Sequence, residues 1–160
     1  MWHAVDEALR EARRDWMGLL ARAPLASLEQ WARAEQLAGP LPARTWLRPP
    51  ETGLVMLRAR AGGSGARFNL GEMTITRCAL RLDSGEVGIA YVQGRSARKA
   101  ELAALADALL QRPERREAVR ARLVEPLRAR LAAEAERAAR KAQATRVEFF
   151  TLARAPGEPA

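Results

Sequence analysis

Apolar residues in the first forty positions recur with a helical period. Val5, Ala8, Leu9, Ala12, Trp16, Leu19 and Leu20 fall on one stripe, with Arg10, Arg13, Arg14 and Asp15 around it. That spacing predicts a helix ended by Pro24. Ser27 opens a second, with Gln30 three positions on completing a capping box. Leu28, Trp31 and Leu37 then face inward until Gly39-Pro40 stops the helix. From Leu41 the pattern changes. Pro40, Pro42, Pro49 and Pro50 oppose helix, and beyond them apolar and polar residues alternate. In GLVMLRARA, Val55, Leu57, Ala59 and Ala61 share one face, while Met56, Arg58 and Arg60 share the other. In EMTITRCALRL, Cys78, Leu80 and Leu82 oppose Arg77 and Arg81. Asp83-Ser84-Gly85 reads as a turn into a returning strand, EVGIAYVQG. These segments predict a small antiparallel sheet, packed on one face and bearing Arg58, Arg60, Arg77 and Arg81 on the other.

Helical spacing returns at Ser96, the expected N-cap of a helix striped by Leu102, Leu105 and Leu109. Pro113 separates the next helix. Pro126 suits the first turn of a long last one, where Leu127, Leu131, Ala138 and Ala142 align. Glu134 with Arg137, and Glu136 with Arg140, stand at neighbour spacing on a solvated face, each pair worth about 0.2–0.5 kcal/mol. Val147, Phe149, Phe150 and Leu152 predict a short strand or hydrophobic hook. The expected fold is α+β: a small antiparallel sheet packed with N-terminal and C-terminal helices. One domain over 1–155 divides into helices (1–40), sheet (41–95), helices (96–145) and a hydrophobic tail strand (146–155), with 156–160 frayed.

Composition changes this picture in two respects. Of 160 residues 48% are apolar but only 5% aromatic, so Ala and Leu fill most of the core. Small side chains bury little area each, which points to a partner as a source of stability. The net charge is +8, with −1 over 1–40, +4 over 41–96 and +5 over 97–160. Only Lys99 and Lys141 among the 27 basic residues are lysines, a skew that with the alanine richness discounts the charge as a sign of nucleic acid. A basic centre and end suit an anionic ligand or an acidic partner surface. Cys78 is alone, so no disulfide forms within the chain, and it reads as packing. The N-terminal segment carries acids in its first turns and no apolar run, which does not fit a signal peptide. No stretch approaches the roughly 20 apolar residues that span a bilayer. The expectation is a cytoplasmic protein away from membranes.

The chemically suggestive stretch is ARAGGSGARFNLGEMTITR, Ala59 to Arg77. It lacks the Lys-Ser or Lys-Thr of a Walker loop, and Gly63 and Gly65 lead into a strand rather than a helix. Gly62, Gly63 and Gly65 are either a hairpin connection or, with Arg67, an anion nest. Glu72 is either an ion-pair partner of Arg67 or Arg77 or a working carboxylate. Arg77 and Arg95 join this group as candidate anion or partner contacts. Phe149 and Phe150 must be covered, by this chain or by another, and are candidate subunit-interface residues. No catalytic set emerges. His3 is the only histidine and lies at the N-terminus, Cys78 has no histidine near it, and one His with one Cys does not furnish a metal site.

Several long stretches carry a family resemblance. Pro50 to Arg95 (PETGLVMLRARAGGSGARFNLGEMTITRCALRLDSGEVGIAYVQGR) resembles the central signature of the G subunit of the bacterial carbon–phosphorus lyase core complex, the PhnG family. AELAALADALLQ, Ala100 to Gln111, and TRVEFFTLARA, Thr145 to Ala155, resemble its later motifs. The chain departs from the family in a longer N-terminal stretch ahead of Asp15-Trp16. The resemblance implies assembly with the H, I and J subunits, with L associated, in a complex that degrades phosphonates when phosphate is scarce. It implies that the I subunit, supported by G, H and L, displaces adenine from ATP with methylphosphonate. The product is alpha-D-ribose 1-methylphosphonate 5-triphosphate. ATP and Mg are then used by the complex, with no cofactor held by this chain alone and no catalytic residue to transfer onto it. The expected role is mainly structural. The alternative is a basic nucleic-acid-binding module, supported by the charge and the arginine face but lacking aromatic platforms and a binding motif. An independent enzyme working through Glu72 is a third reading.

Overall fold

The computed structural model describes residues 2–60 and 65–145. The element centred in the fold is a helix, α3 (Ala97–Gln111), whose AELAALADALL run is apolar on every side. Such a helix is surrounded rather than laid on a surface. Ala100 and every residue from Leu102 to Leu110 are buried. A three-stranded antiparallel meander, β1 (Arg44–Ala59), β2 (Phe68–Leu82) and β3 (Val87–Gln93), supplies one side of its surroundings. Two N-terminal helices, α1 (Trp2–Arg22) and α2 (Leu25–Ala38), and a short one, α4 (Pro113–Val119), pack on it elsewhere. The expected α+β class is thus what the chain adopts.

Local chemistry explains the joints. The Ser96 hydroxyl accepts the Lys99 N–H at 3.3 Å, capping α3 as its sequence predicts. The capping box at Ser27 does not form: α2 starts at Leu25 behind Pro24 with no side-chain cap. Proline preset in φ and lacking an N–H opens that helix instead. Gly85 takes φ +108 in the turn at Asp83-Ser84-Gly85, where its N–H reaches Leu82 O at 2.8 Å. Gly88 lets β3 approach α3, because a Cβ there would lie 1.9 Å from the Ala104 carbonyl oxygen. After α4 the helix widens into a π turn, Arg120–Val124, before α5 (Glu125–Ala144). Pro126 accounts for it, since an α-helical proline would press on the carbonyl of Arg122, four residues back.

Burial departs from the expected faces in two places. In α1, Trp16, Leu19 and Leu20 are buried, but Ala8 and Ala12 are exposed and Leu9 is half-buried. In the sheet, Cys78, Leu80 and Leu82 pack as expected at 1% exposure or less. Val55, Leu57 and Ala59 do not form a packed face: the first and last are half-buried and Leu57 is exposed. The pairing of Thr52 with Thr76 puts Val55 and Leu57 on the face opposite Cys78, Leu80 and Leu82. β1 also starts nine residues earlier than GLVMLRARA and crosses Pro49-Pro50. Prolines are tolerated there because β1 is an edge strand.

The described residues up to Ala129 form one compact unit and those from Arg130 onward belong to a second. The described part of the second is the continuation of α5. Its Arg140–Glu136 pair matches the expected spacing, at 3.8 Å. Glu134, however, bonds Arg130 at 2.8 Å, while Arg137 turns back to the Ala133 carbonyl. A guanidinium four residues before the carboxylate reaches it as well as one three residues after, and only one of them is held. The aligned Ala138 and Ala142 are exposed.

Candidate functional site

β3 pairs with β2 only from Ile75 to Arg81. The remainder of β2, Phe68 to Thr74, has β1 as its single strand neighbour, so it forms a two-stranded arm with residues 54–59. Isolated two-stranded ribbons are marginal in water. This one exposes Leu54 (61%), Leu70 (61%), Met56 (53%) and Phe68 (45%), together with Leu57. The Thr52 and Thr76 hydroxyls lie 3.4 Å apart on the side of β2 where Thr76 is buried. Leu54 and Met56 follow Thr52 on that same side by strand alternation. The packed face of the sheet therefore continues past α3 as an apolar shelf that no described residue covers. Exposed apolar side chains gathered on one face are a common feature of interaction sites, and here Glu72 stands across from Met56 among them.

The arginines divide into two groups. Arg77 Nε donates to Glu51 at 2.6 Å, and Arg48 also bonds that carboxylate. The hydrogen bond from Arg48, then that from Arg77, lowers the Glu51 pKa below its usual range. Arg58, Arg60, Arg67, Arg81 and Arg95 are exposed, with no carboxylate partner among the described residues. Glu72 does not pair with Arg77 or with Arg67. It lies across from Met56, five residues before Arg77, whose directly opposed partner is Glu51. Arg95 follows Gly94 at the β3–α3 turn, which is fixed by Thr76 donating to Gly94 O at 2.7 Å. Gly65 takes φ +107 just before Arg67. The candidate contacts are strung along the sheet rather than gathered into one cradle. Gly62, Gly63, Phe149 and Phe150 lie outside the described residues.

Two buried carboxylates escaped the sequence reading. Asp107 on α3 is fully buried. It accepts Arg13 Nε at 3.1 Å and Nη2 at 2.8 Å, the Trp16 indole N–H at 2.8 Å and the Ile89 N–H at 2.9 Å. One carboxylate thereby ties α1, α3 and β3, with all its oxygens supplied with donors. Glu35 on α2 is likewise buried and bonds Arg115 of α4 and Arg122 of the π turn. A single acid in an otherwise apolar run, as in AALADALL, is the signal that identifies such a node. At Asp107 two donors on each oxygen leave no open reacting position, and the Glu35 carboxyl is buried with each oxygen on an arginine.

Cys78 and Glu101 are held in structural contacts. The Cys78 thiol donates to Ala100 O at 3.2 Å. Burial, helped by the charge of Glu101, pushes its pKa up to about 12, which is the reverse of an activated nucleophile. At Glu101 burial acts upward, but hydrogen bonds from Arg44 and Arg98 with their charges outweigh it and lower the pKa. Among the described residues no group of three or more His, Cys, Asp or Glu could hold a metal ion. None of the described helices is long and apolar enough to cross a membrane. A groove of about 670 Å3 lies among Ala8, Leu9, Ala12, Gln111, Pro113 and Arg116, and it contains no convergent acid–base pair.

Residues 11–155 match the family described as "Phosphonate metabolism protein PhnG". A curated relative from Rhizobium meliloti (strain 1021), alpha-D-ribose 1-methylphosphonate 5-triphosphate synthase subunit PhnG, is 45% identical over 150 residues. That alignment spans 93% of this chain and 93% of the relative.

Proposed function

The chain belongs to the PhnG family of phosphonate metabolism proteins, and from that premise we propose that it acts as a subunit of the carbon–phosphorus lyase core complex. It assists the I subunit in forming alpha-D-ribose 1-methylphosphonate 5-triphosphate from ATP and methylphosphonate. Its neighbours are the I, H and J subunits, with L associated, and the assembly works in the cytoplasm. ATP and Mg are used by the complex, and this chain contributes mainly surface and shape. The relative's name, a subunit of that synthase, supports the reading at the level of the assembly.

The observation that carries the structural role is the arm. An apolar shelf of Leu54, Met56 and Leu70 on a two-stranded ribbon is costly in water, at about 25 cal/mol per Å2 of apolar surface. A permanent complex buries such surface, and its interfaces run to several thousand Å2. The buried carboxylates point the same way, for their donors lock the fold instead of leaving a reactive group exposed. Co-expression with the H, I, J and L subunits tests the proposal. This chain is expected to co-purify in stable proportion, and its omission to abolish synthesis of the ribose triphosphate product. A complex that forms and keeps full activity without it would overturn the proposal.

A further inference from the structure

The two margins of the sheet are finished differently. At the start of β3 outward main-chain groups are already taken. The Val87 carbonyl accepts Arg13 Nη2 at 3.1 Å and Gln111 Nε2 at 2.8 Å, and the Ile89 N–H donates to Asp107 at 2.9 Å. A further strand cannot pair along that first half of β3 without displacing these bonds. At β1 the pairing with β2 is regular from Glu51↔Arg77 to Leu57↔Gly71. The Thr74 carbonyl faces β3, where it accepts the Gly94 N–H at 2.9 Å. By alternation Ile75, Arg77 and Met73 face β1, so Glu51, Gly53, Val55 and Leu57 bond to β2. Thr52, Leu54 and Met56 therefore aim three N–H and three C=O groups at the free edge. No described residue meets them. Pro49 and Pro50 lack the N–H and close the edge just before this window.

The side chains around that edge specify what fits. Leu54 and Met56 offer apolar contact on one face. Arg58, Arg60 and Arg67 stand at the far end of the arm, against the single carboxylate of Glu72, and none of the three has a carboxylate partner among the described residues. A second copy of this chain would bring the same uncompensated guanidinium groups to the contact, whereas an acidic segment would neutralise them.

We propose that the edge of β1 between Glu51 and Leu57 receives a strand from another subunit of the complex, one with apolar residues over Leu54 and Met56 and carboxylates toward Arg58, Arg60 and Arg67. Main-chain bonds supply the register and the side chains the selectivity, as in other cases of strand addition. The inference rests on the assembly role proposed above.

Residue-resolved hydrogen exchange on the full chain, free and in the co-purified complex, tests it without any variant. Exchange at Thr52, Leu54 and Met56 is expected to slow at least about tenfold on assembly, the effect of ~1.4 kcal/mol, while Gly53 and Val55 are already protected in the free chain. Leu54→Pro removes an outward N–H that β2 does not use, and Leu54→Ala removes the side chain alone. The proline variant is expected to bind the other subunits at least about tenfold more weakly than the alanine variant, a ratio of the same ~1.4 kcal/mol. Equal exchange at the outward amides in the free and assembled chain would overturn strand addition while leaving the assembly role standing, as would equal binding of the two variants. Protection of these amides in a homodimer of the free chain would overturn the choice of partner. A wild-type chain that fails to associate with the other subunits would overturn both readings.

Discussion

Replacing Asp107 by alanine is expected to unlock the fold without touching its surface. The substitution orphans the Trp16 indole N–H and the Ile89 amide, both of which give their hydrogen bonds to this carboxylate. Each buried unsatisfied donor costs about 1–3 kcal/mol. Arg13 counts for less, because its side chain is 30% exposed and keeps the Val87 carbonyl. The expected loss is about 3–5 kcal/mol, in the range for breaking a buried charged pair. For a chain of this size that lowers Tm by roughly 8–15 °C. Denaturant unfolding followed by circular dichroism measures it, with Arg13→Ala as a milder comparison. Asp107→Ala together with Trp16→Phe should cost less than the two single losses added, because the cycle removes donor and acceptor together. A loss below about 1 kcal/mol for Asp107→Ala would refute the view that one carboxylate ties α1, α3 and β3.

Other consequences follow from the same geometry. Gly88→Ala should cost more than the ~1–3 kcal/mol of ordinary overpacking, since its Cβ would meet Ala104 O at 1.9 Å and α3 backbone must move. A variant that melts with the wild type would contradict this approach. Glu35→Ala strips the acceptor from Arg115 and Arg122, but both guanidinium groups are partly exposed and turn to water, so the expected cost is about 1–2 kcal/mol, read by urea unfolding. Cys78 has its pKa raised from 9.0 to about 12, so its contribution is complete below pH 9 and is lost as pH rises toward 12. Wild type should therefore lose more stability than Cys78→Ala between about pH 8 and about pH 10, and thiol reagents should label Cys78 only on unfolding.

Much of the architecture was legible because local and tertiary signals agree. The Ser96 cap, the Asp83-Ser84-Gly85 turn and the alternation of Cys78, Leu80 and Leu82 each follow from residues that do one thing. The misreadings share a cause. Alternation in GLVMLRARA tells which residues share a face, but not whether anything lies above that face. The register puts Thr52, Leu54 and Met56 on the face of Thr76, Cys78 and Leu80, so Val55 and Leu57 lie on the face away from α3, and the alternation of GLVMLRARA alone does not show which of its two faces is packed. Glu72 was offered Arg77 as a partner by proximity in sequence. The register gives Arg77 to Glu51 instead, 26 residues away. The lone acid in AALADALL marks Asp107 in the sequence, but not its partners: its donors come from positions 13, 16 and 89, and only the folded chain assembles them.

The central claim is that this chain works by lending the β1–β2 arm to a neighbouring subunit. Its most direct test is the double substitution Leu54→Asp and Leu70→Asp, which places charge on exposed positions of the shelf. Two quantities are measured side by side: the Tm of the free variant chain, and its recovery in the co-expressed complex. The claim predicts an unchanged Tm within about 2 °C, less than a 1 kcal/mol effect, with the chain absent from the purified complex. A variant that assembles as fully as the wild type would contradict it.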